Sequence, residues 1–200
     1  MDFDKAGSLL NSYGLRIVES KFVTSYEDAI SFSDGEGIVL KAITPKATHK
    51  TKSGLIFTDL YTEENIKKAY NMLVKRAKNF KPFDILAQPM IKNGIEIIVG
   101  GSTDKQFGKI IMVGFGGIYV EVFKDVSARI CPIDGYDALS MINELKSKNI
   151  IAPDAHYKNI IKELILKASK MFFENDIKEF DLNPVILHDK TYDIVDIRMI

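Results

Sequence analysis

The sequence holds a single cysteine, Cys131, among 200 residues, so no internal disulfide can form. No GxxxxGK[ST], HExxH or CxxC pair occurs, which removes the P-loop and the simplest zinc sites. There is no excess of charge: Lys plus Arg and Asp plus Glu each number 27. The chain therefore lacks the cationic surplus from which nucleic-acid binders and polybasic membrane anchors draw affinity, and neither partner is expected. Long apolar runs are missing too. The longest, "IIMVGFGGIYVEVF", is broken by glycines and an acid and falls short of the roughly 20 residues that span a bilayer. The "MDFDKAGSLL" start has no basic region followed by an apolar one, so a cytoplasmic location is expected.

Against these absences stand 46% hydrophobic residues, enough for one medium-sized domain or two small lobes with a real core. An amphipathic helix is expected over residues 3 to 12, leading through Gly14 to an alternating strand, "LRIVESKFV". Ser25 and Asp28 start a short helix, "DGEG" ends it, and "IVLKAI" and "LIFTDL" read as strands around a loop rich in Thr, Lys, Pro and Gly. Thr62 with Glu63 and Glu64 opens a helix whose apolar stripe is Ile66, Ala69, Tyr70, Leu73 and Ala77. Beyond residue 90 the pattern turns antiparallel, with "ILAQPMI", "IEIIVGGST", "KIIMVGFG" and "IYVEVFKDVSARI" as strands. Two helices follow, one after Asp134 and one from about His156 to Glu174, and then a closing hairpin. The fold class is α/β, grading into α+β, in two lobes, 1–90 and 91–200, that meet near "AQPMIKNG" and share a cleft.

The hairpin, "EFDLNPVIL" and "TYDIVDIRM", can be laid out residue by residue. With Asp189 and Lys190 at its tip, His188 faces Thr191, Leu187 faces Tyr192, Asn183 faces Asp196 and Asp181 faces Arg198. Opposed Cβ atoms lie about 4.5–5.5 Å apart, close enough for one cation to take an oxygen from each side. Alternation places Asp181, Asn183 and Val185 on an outward face and Phe180, Leu182 and Ile186 on the other. An Asn–Asp pair suits magnesium, which keeps waters and completes its shell with phosphates. The competing reading is a merely solvated strand face, and a one-residue slip would move Asp196 to the other side.

Other candidates carry their own alternatives. "GFGG", residues 114 to 117, is followed by a β-rich segment, so it reads more simply as a tight turn than as a dinucleotide cradle. In "YVEVFKDVSAR" the alternation aligns Glu121, Asp125 and Arg129 on an exposed charged face, with Lys124 among the apolar residues. Lys41 ends "GIVLK", where a strand could deliver an ammonium to an anion. His156 at a helix start and His188 at a turn are most simply solvated. His49, in "ATHKTKSG", has cations around it that disfavour imidazolium and would attract a phosphoryl group.

Taken in order, "VLK", "THK", "IEIIVG", "DKQFG", "GFGGIYVEVFKDVSARICPI" and "EFDLNPV" resemble the ATP-grasp β subunit of ADP-forming acyl-CoA synthetases, the acetate–CoA ligase (ADP-forming) family related to succinyl-CoA synthetase. The resemblance implies two lobes gripping Mg-ATP and reversible conversion of acyl-CoA, ADP and phosphate into acid, CoA and ATP. It implies nucleotide contacts from Lys41 and Glu96, extended to Glu121, Lys124 and Arg129 of the glycine-to-arginine block, and Mg²⁺ held by Asn183 and Asp196. His49 matches a histidine that carries a phosphoryl group, and Asp181 an acid that orients the phosphohistidine. CoA and acyl binding fall to an α subunit with its own phosphorylatable histidine, often in an α2β2 heterotetramer. Three departures mark this chain: Thr103-Asp104-Lys105 replaces the frequent Arg-Asp-Pro, Pro89 stands where some members have a glutamate at the nucleotide hinge, and "TKSGL" follows His49 with one glycine fewer. Rival readings are a succinate– or malate–CoA ligase chain, against which "THK" counts, and a degenerate nucleotide-binding module, against which the retained His49, Lys41, Asn183 and Asp196 count.

Overall fold

Capping side chains fix the helix starts. Asp2 accepts from the Lys5 amide at 2.8 Å ahead of α1 (Phe3–Ser12), Ser25 from Asp28 ahead of α2 (Tyr26–Ser33), and Thr62 from Asn65 ahead of α3 (Glu63–Ala77). Each satisfies an amide that a first helical turn leaves without an intrahelical partner. The computed structural model describes residues 1–45, 54–117, 125–189 and 191–200. They divide into two compact units, Val18–Lys92 and the combination of Met1–Ile17 with Asn93–Ile200. The division thus falls after Lys92 where 90 was expected. The first seventeen residues sit with the C-terminal segment, because α1 buries Ala6 and Leu10 in that unit's core.

In Val18–Lys92, strands β1 (Lys21–Phe22), β2 (Ile38–Ile43), β3 (Ile56–Leu60) and β4 (Asp84–Pro89) form an antiparallel sheet in the order β1-β4-β2-β3. Ile38, Leu40 and Ala42 join Ile66, Leu73 and Ala77 of α3 in the core, and alternation turns Val39, Lys41 and Ile43 to the opposite face. The long strand expected over residues 15 to 23 reduces to β1 and a single parallel bridge between Ile17 and Ile194. That stretch crosses from one unit to the other at Ile17 and Val18 and so cannot belong to one sheet.

The other unit is built on β5 (Ile95–Asp104), β6 (Gly108–Phe115), β7 (Val126–Ile130), β8 (Glu179–His188), β9 (Thr191–Ile194) and β10 (Ile197–Met199). Its path is β10-β8-β5-β6-β7, with β9 also paired to β8. Helices α4 (Gly135–Glu144), a short α5 (Lys148–Ile151) that the sequence reading did not anticipate, and α6 (Ala155–Glu174) cover one face. Met141, Ile142, Leu164 and Phe172 from these helices pack with Ile97, Val99, Ile111, Val113 and Leu182. Among the described residues no helix is long and apolar enough to cross a membrane.

Phe172 and Phe180 meet edge to face at 5.1 Å over Gly101. A Cβ at Gly101 would come within 2.4 Å of the Phe180 ring and 2.9 Å of Phe172. Gly101→Ala should therefore destabilise this unit by about 1–3 kcal/mol through overpacking. A chemical denaturation midpoint equal to that of the parent chain would contradict this packing.

Candidate active site

Strand β8 pairs with its neighbours in the register that a turn at Asp189 demands: His188 with Thr191, Leu187 with Tyr192, and Asp181 with Arg198. Between β9 and β10, the Asn183 amide donates to the Asp196 carbonyl at 3.2 Å and the Val195 amide to the Pro184 carbonyl at 3.0 Å. Asn183 and Asp196 therefore stand opposite each other. One expectation fails on the β5 side of the strand. Ile97 pairs with Val185 and Val99 with Leu182, so Ile98 alone opposes Asn183 and Pro184. Pro184 has no N–H to give the ladder, and a bulge is where a sheet tolerates it. The extra residue reverses the alternation: Phe180 and Leu182 are buried before the bulge, Val185 and Leu187 after it. Val185 thus lies in the core and not beside Asp181 and Asn183.

The face turned away from the helices carries a row of Asp181, Gly100, Met112 and Ala128, and beside it a row of Ile98, Gly114 and Val126 next to Asn183. An added Cβ at Gly100 would sit 3.2 Å from the Phe180 carbonyl, and one at Gly114 2.7 Å from the Asp125 carbonyl. The two glycines leave a shallow floor, with Ile98 and Met112 as its apolar contacts and the hairpin as its polar edge. Glu96 lies on the same face four residues before Gly100, about 13 Å along the strand. Its carbonyl accepts from Gly116 at 2.8 Å. At Gly117, where φ is +70°, a Cβ would come within 2.9 Å of the Glu96 carboxylate. Gly114 thus belongs to β6, and only Gly117 of the cluster lies in a turn, set against Glu96.

Burial raises the pKa of Asp181, the nearby Asp196 charge raises it further, and Arg198 and the Asn183 hydrogen bond pull it down, with the net direction upward. Asn183 and Asp196 stand opposite each other with hard side-chain oxygens, one of which, on Asp196, accepts from the Ile197 amide at 3.1 Å; such a donor set fits magnesium. Among the described residues no three His, Cys, Asp or Glu side chains gather into a metal cage. A cation on this pair would draw its remaining oxygens from solvent or from phosphate.

Of the other expected residues, the structure describes Lys41 and Arg129. Lys41 belongs to the Val18–Lys92 unit, where it is 2% exposed and pairs with Leu86 and Ile56. Arg129 lies on the helix-covered face, opposite to Asp181 and Asn183, and is engaged by Glu144 and by Asp137 at 4.0 Å. Its expected charged outer face is inverted: Ser127 is buried, Asp125 is buried and accepts from the Lys146 and Ser147 amides at 2.8 and 2.7 Å, while Val126 and Ile130 are exposed. Packing against α4 and α5 draws the charges inward, and nothing in this placement supports a nucleotide contact from Arg129. His49, Glu121 and Lys124 lie outside the described residues.

Two groupings escaped sequence reasoning. His188 is not solvated; its side chain is 16% exposed and Nε2 lies 2.8 Å from Asp193, whose other oxygen accepts from Arg16 Nε at 2.8 Å. In the Val18–Lys92 unit, buried Gln88 donates to Ser20 Oγ at 2.9 Å. Its position on a strand opposite Val39 and diagonal to Lys41 was the available signal.

The family model of the ATP-grasp domain matches residues 1–200. The β subunit of acetate–CoA ligase (ADP-forming) I from Pyrococcus furiosus is 34% identical, over 98% of this chain and 89% of its own length. The acetate–CoA ligase (ADP-forming) I of Archaeoglobus fulgidus is also 34% identical over 96% of this chain, which spans 30% of that longer protein. Among solved structures, dinucleotide-forming acetyl-coenzyme A synthetase 1 of Ca. Korarchaeum cryptofilum, with coenzyme A, Ca-AMPCP and HgCl+, matches at a TM-score of 0.87 and 35% identity, over 98% of this chain and 91% of that one. Another structure of that protein holds coenzyme A and Mg-AMPPCP with its phosphohistidine segment pointing towards the nucleotide binding site, at a TM-score of 0.81 and 34% identity over 98% and 90% of the two chains. Fold and sequence together define an ATP-grasp domain. Within that class, the chain belongs to the β-subunit family of ADP-forming acyl-CoA ligases.

The tie that holds Arg129 can be tested by pH. The Arg129 guanidinium, and then the Ser127 hydroxyl, hold the Glu144 carboxyl below its ordinary range. A depressed carboxylate contributes stability that is present above its unfolded pKa and lost as pH falls through the folded one. Glu144→Gln should lower the melting temperature near neutrality, and the gap should close as the solution is acidified below the ordinary carboxylate range. A gap independent of pH would contradict the ion pair.

Proposed function

We propose that this chain is the nucleotide-handling subunit of a ligase that interconverts acyl-CoA, ADP and phosphate with a carboxylic acid, CoA and ATP. The pairing of Asn183 with Asp196, beside a glycine floor, is the observation that carries this reading. In it, Asn183 and Asp196 hold Mg²⁺ with ATP or ADP, and Lys41, Glu96, Glu121 and Lys124 contact the nucleotide. Magnesium supplies charge neutralisation at the terminal phosphates. His49 accepts the phosphoryl group on an imidazole nitrogen as the bond to its donor breaks. It then passes the group to a terminal oxygen of ADP, which forms ATP and returns the ring to its neutral state. Asp181 orients the phosphohistidine.

The acyl and CoA chemistry is assigned to a separate α subunit, in an α2β2 assembly within the cytoplasm. Support comes from the "subunit beta" name of the Pyrococcus relative and from the much greater length of the Archaeoglobus one.

Losing either oxygen donor should weaken Mg-nucleotide binding and turnover together. Asn183→Ala and Asp196→Ala are each expected to cut activity, measured with the α chain present, by at least about a hundredfold, equivalent to roughly 3 kcal/mol of transition-state stabilisation. Near-normal rates in both variants would refute the site. His49→Ala should abolish an acid-labile, base-stable phosphoryl label on this chain, and full partner-dependent turnover by that variant would exclude the relay.

A further inference from the structure

Arg198 stands directly across from Asp181 on β10, two residues beyond Asp196. Its neighbours Ile197 and Met199 are buried in the core, so Arg198 and Asp196 share the outward face with Asp181 and Asn183. Two strand residues span about 6.6 Å. A cation held by Asn183 and Asp196 would bring the phosphates of its nucleotide to this face. Arg198 stands one such interval from Asp196 on that face.

Two carboxylates attract it: Asp181 across the strand and Glu179. Glu179 lies 3.8 Å away and both side chains are half exposed, well beyond the roughly 2.7–2.9 Å of a charge-assisted hydrogen bond. An exposed pair this loose contributes little, so Glu179 gives up the guanidinium to an anion at little cost. The planar fork of donors matches phosphate oxygens in pairs, as a lysine ammonium cannot.

We propose that Arg198 binds the terminal phosphoryl group of the nucleoside triphosphate and so distinguishes the triphosphate from the diphosphate. This rests on the nucleotide reading above. The test is calorimetric titration of the full chain, and of Arg198→Gln and Arg198→Lys, with Mg²⁺ plus either a non-hydrolysable ATP analogue or ADP. Arg198→Gln should weaken the analogue at least about tenfold while ADP changes by less than about twofold, with the melting temperature retained. Arg198→Lys should lose an intermediate amount, again for the analogue alone, and decides the matter if the glutamine variant fails to fold. Equal losses for both nucleotides, or none for either, would overturn the proposal. Failure of the parent chain to bind either nucleotide would instead sink the underlying nucleotide reading.

Discussion

Pro184 sits in the middle of a strand that must pair on both sides, and it cannot donate to either neighbour. The chain absorbs it as one extra residue against β5 while the register with β9 and β10 continues unbroken. Both halves of the strand can then bury their apolar residues, Phe180 and Leu182 before the bulge and Val185 and Leu187 after it. With strict alternation, burying Val185 would have required burying Asp181 and Asn183 beside it. The bulge lets one strand serve the core along its whole length and still present two polar side chains outward near its middle, where Asp196 meets them.

Asp193, which is buried, and the half-buried Asp181 show how differently this unit treats negative charge. Asp193 is 5% exposed and is answered from within by Arg16 and His188. A fully partnered buried charge ties chain segments together; here it joins the amino-terminal segment to the closing hairpin. Asp181 is desolvated beside Asp196, a charge of the same sign, and its pKa rises in consequence. Arg198 and the Asn183 hydrogen bond offset part of this, and one Asp196 oxygen accepts from the Ile197 amide at 3.1 Å; like charges side by side on an outward face are an arrangement that a further cation stabilises.

Local chemistry made much of this legible. The helix caps at Ser25 and Thr62 and the hairpin pairing follow from residues a few positions apart, and the Asn183–Asp196 opposition could be read from one short turn. What failed depended on distance or on a broken period. Val185 was misplaced because alternation was carried through Pro184, although the proline was itself the warning. The β7 charges were turned outward because α4, which binds Arg129, contributes Glu144 from fifteen residues away. The tie of Asp193 to Arg16 was hidden because Arg16 comes from the far end of the chain, whereas the partner of His188, Asp193, lies only five residues on. The grouping of residues 1–17 with the C-terminal unit was hidden for the same reason.

The central claim is that a nucleotide-bound cation rests on the hairpin between Asn183 and Asp196. Mn²⁺ substituted for Mg²⁺ in the presence of ADP gives a direct test, through paramagnetic broadening of assigned backbone amide resonances. The account predicts broadening centred on Asn183 and Asp196 and extending to Asp181 and Arg198, dependent on the nucleotide. Broadening centred instead on the α4 acids Asp134, Asp137 and Glu144, with the hairpin signals unchanged, would contradict it.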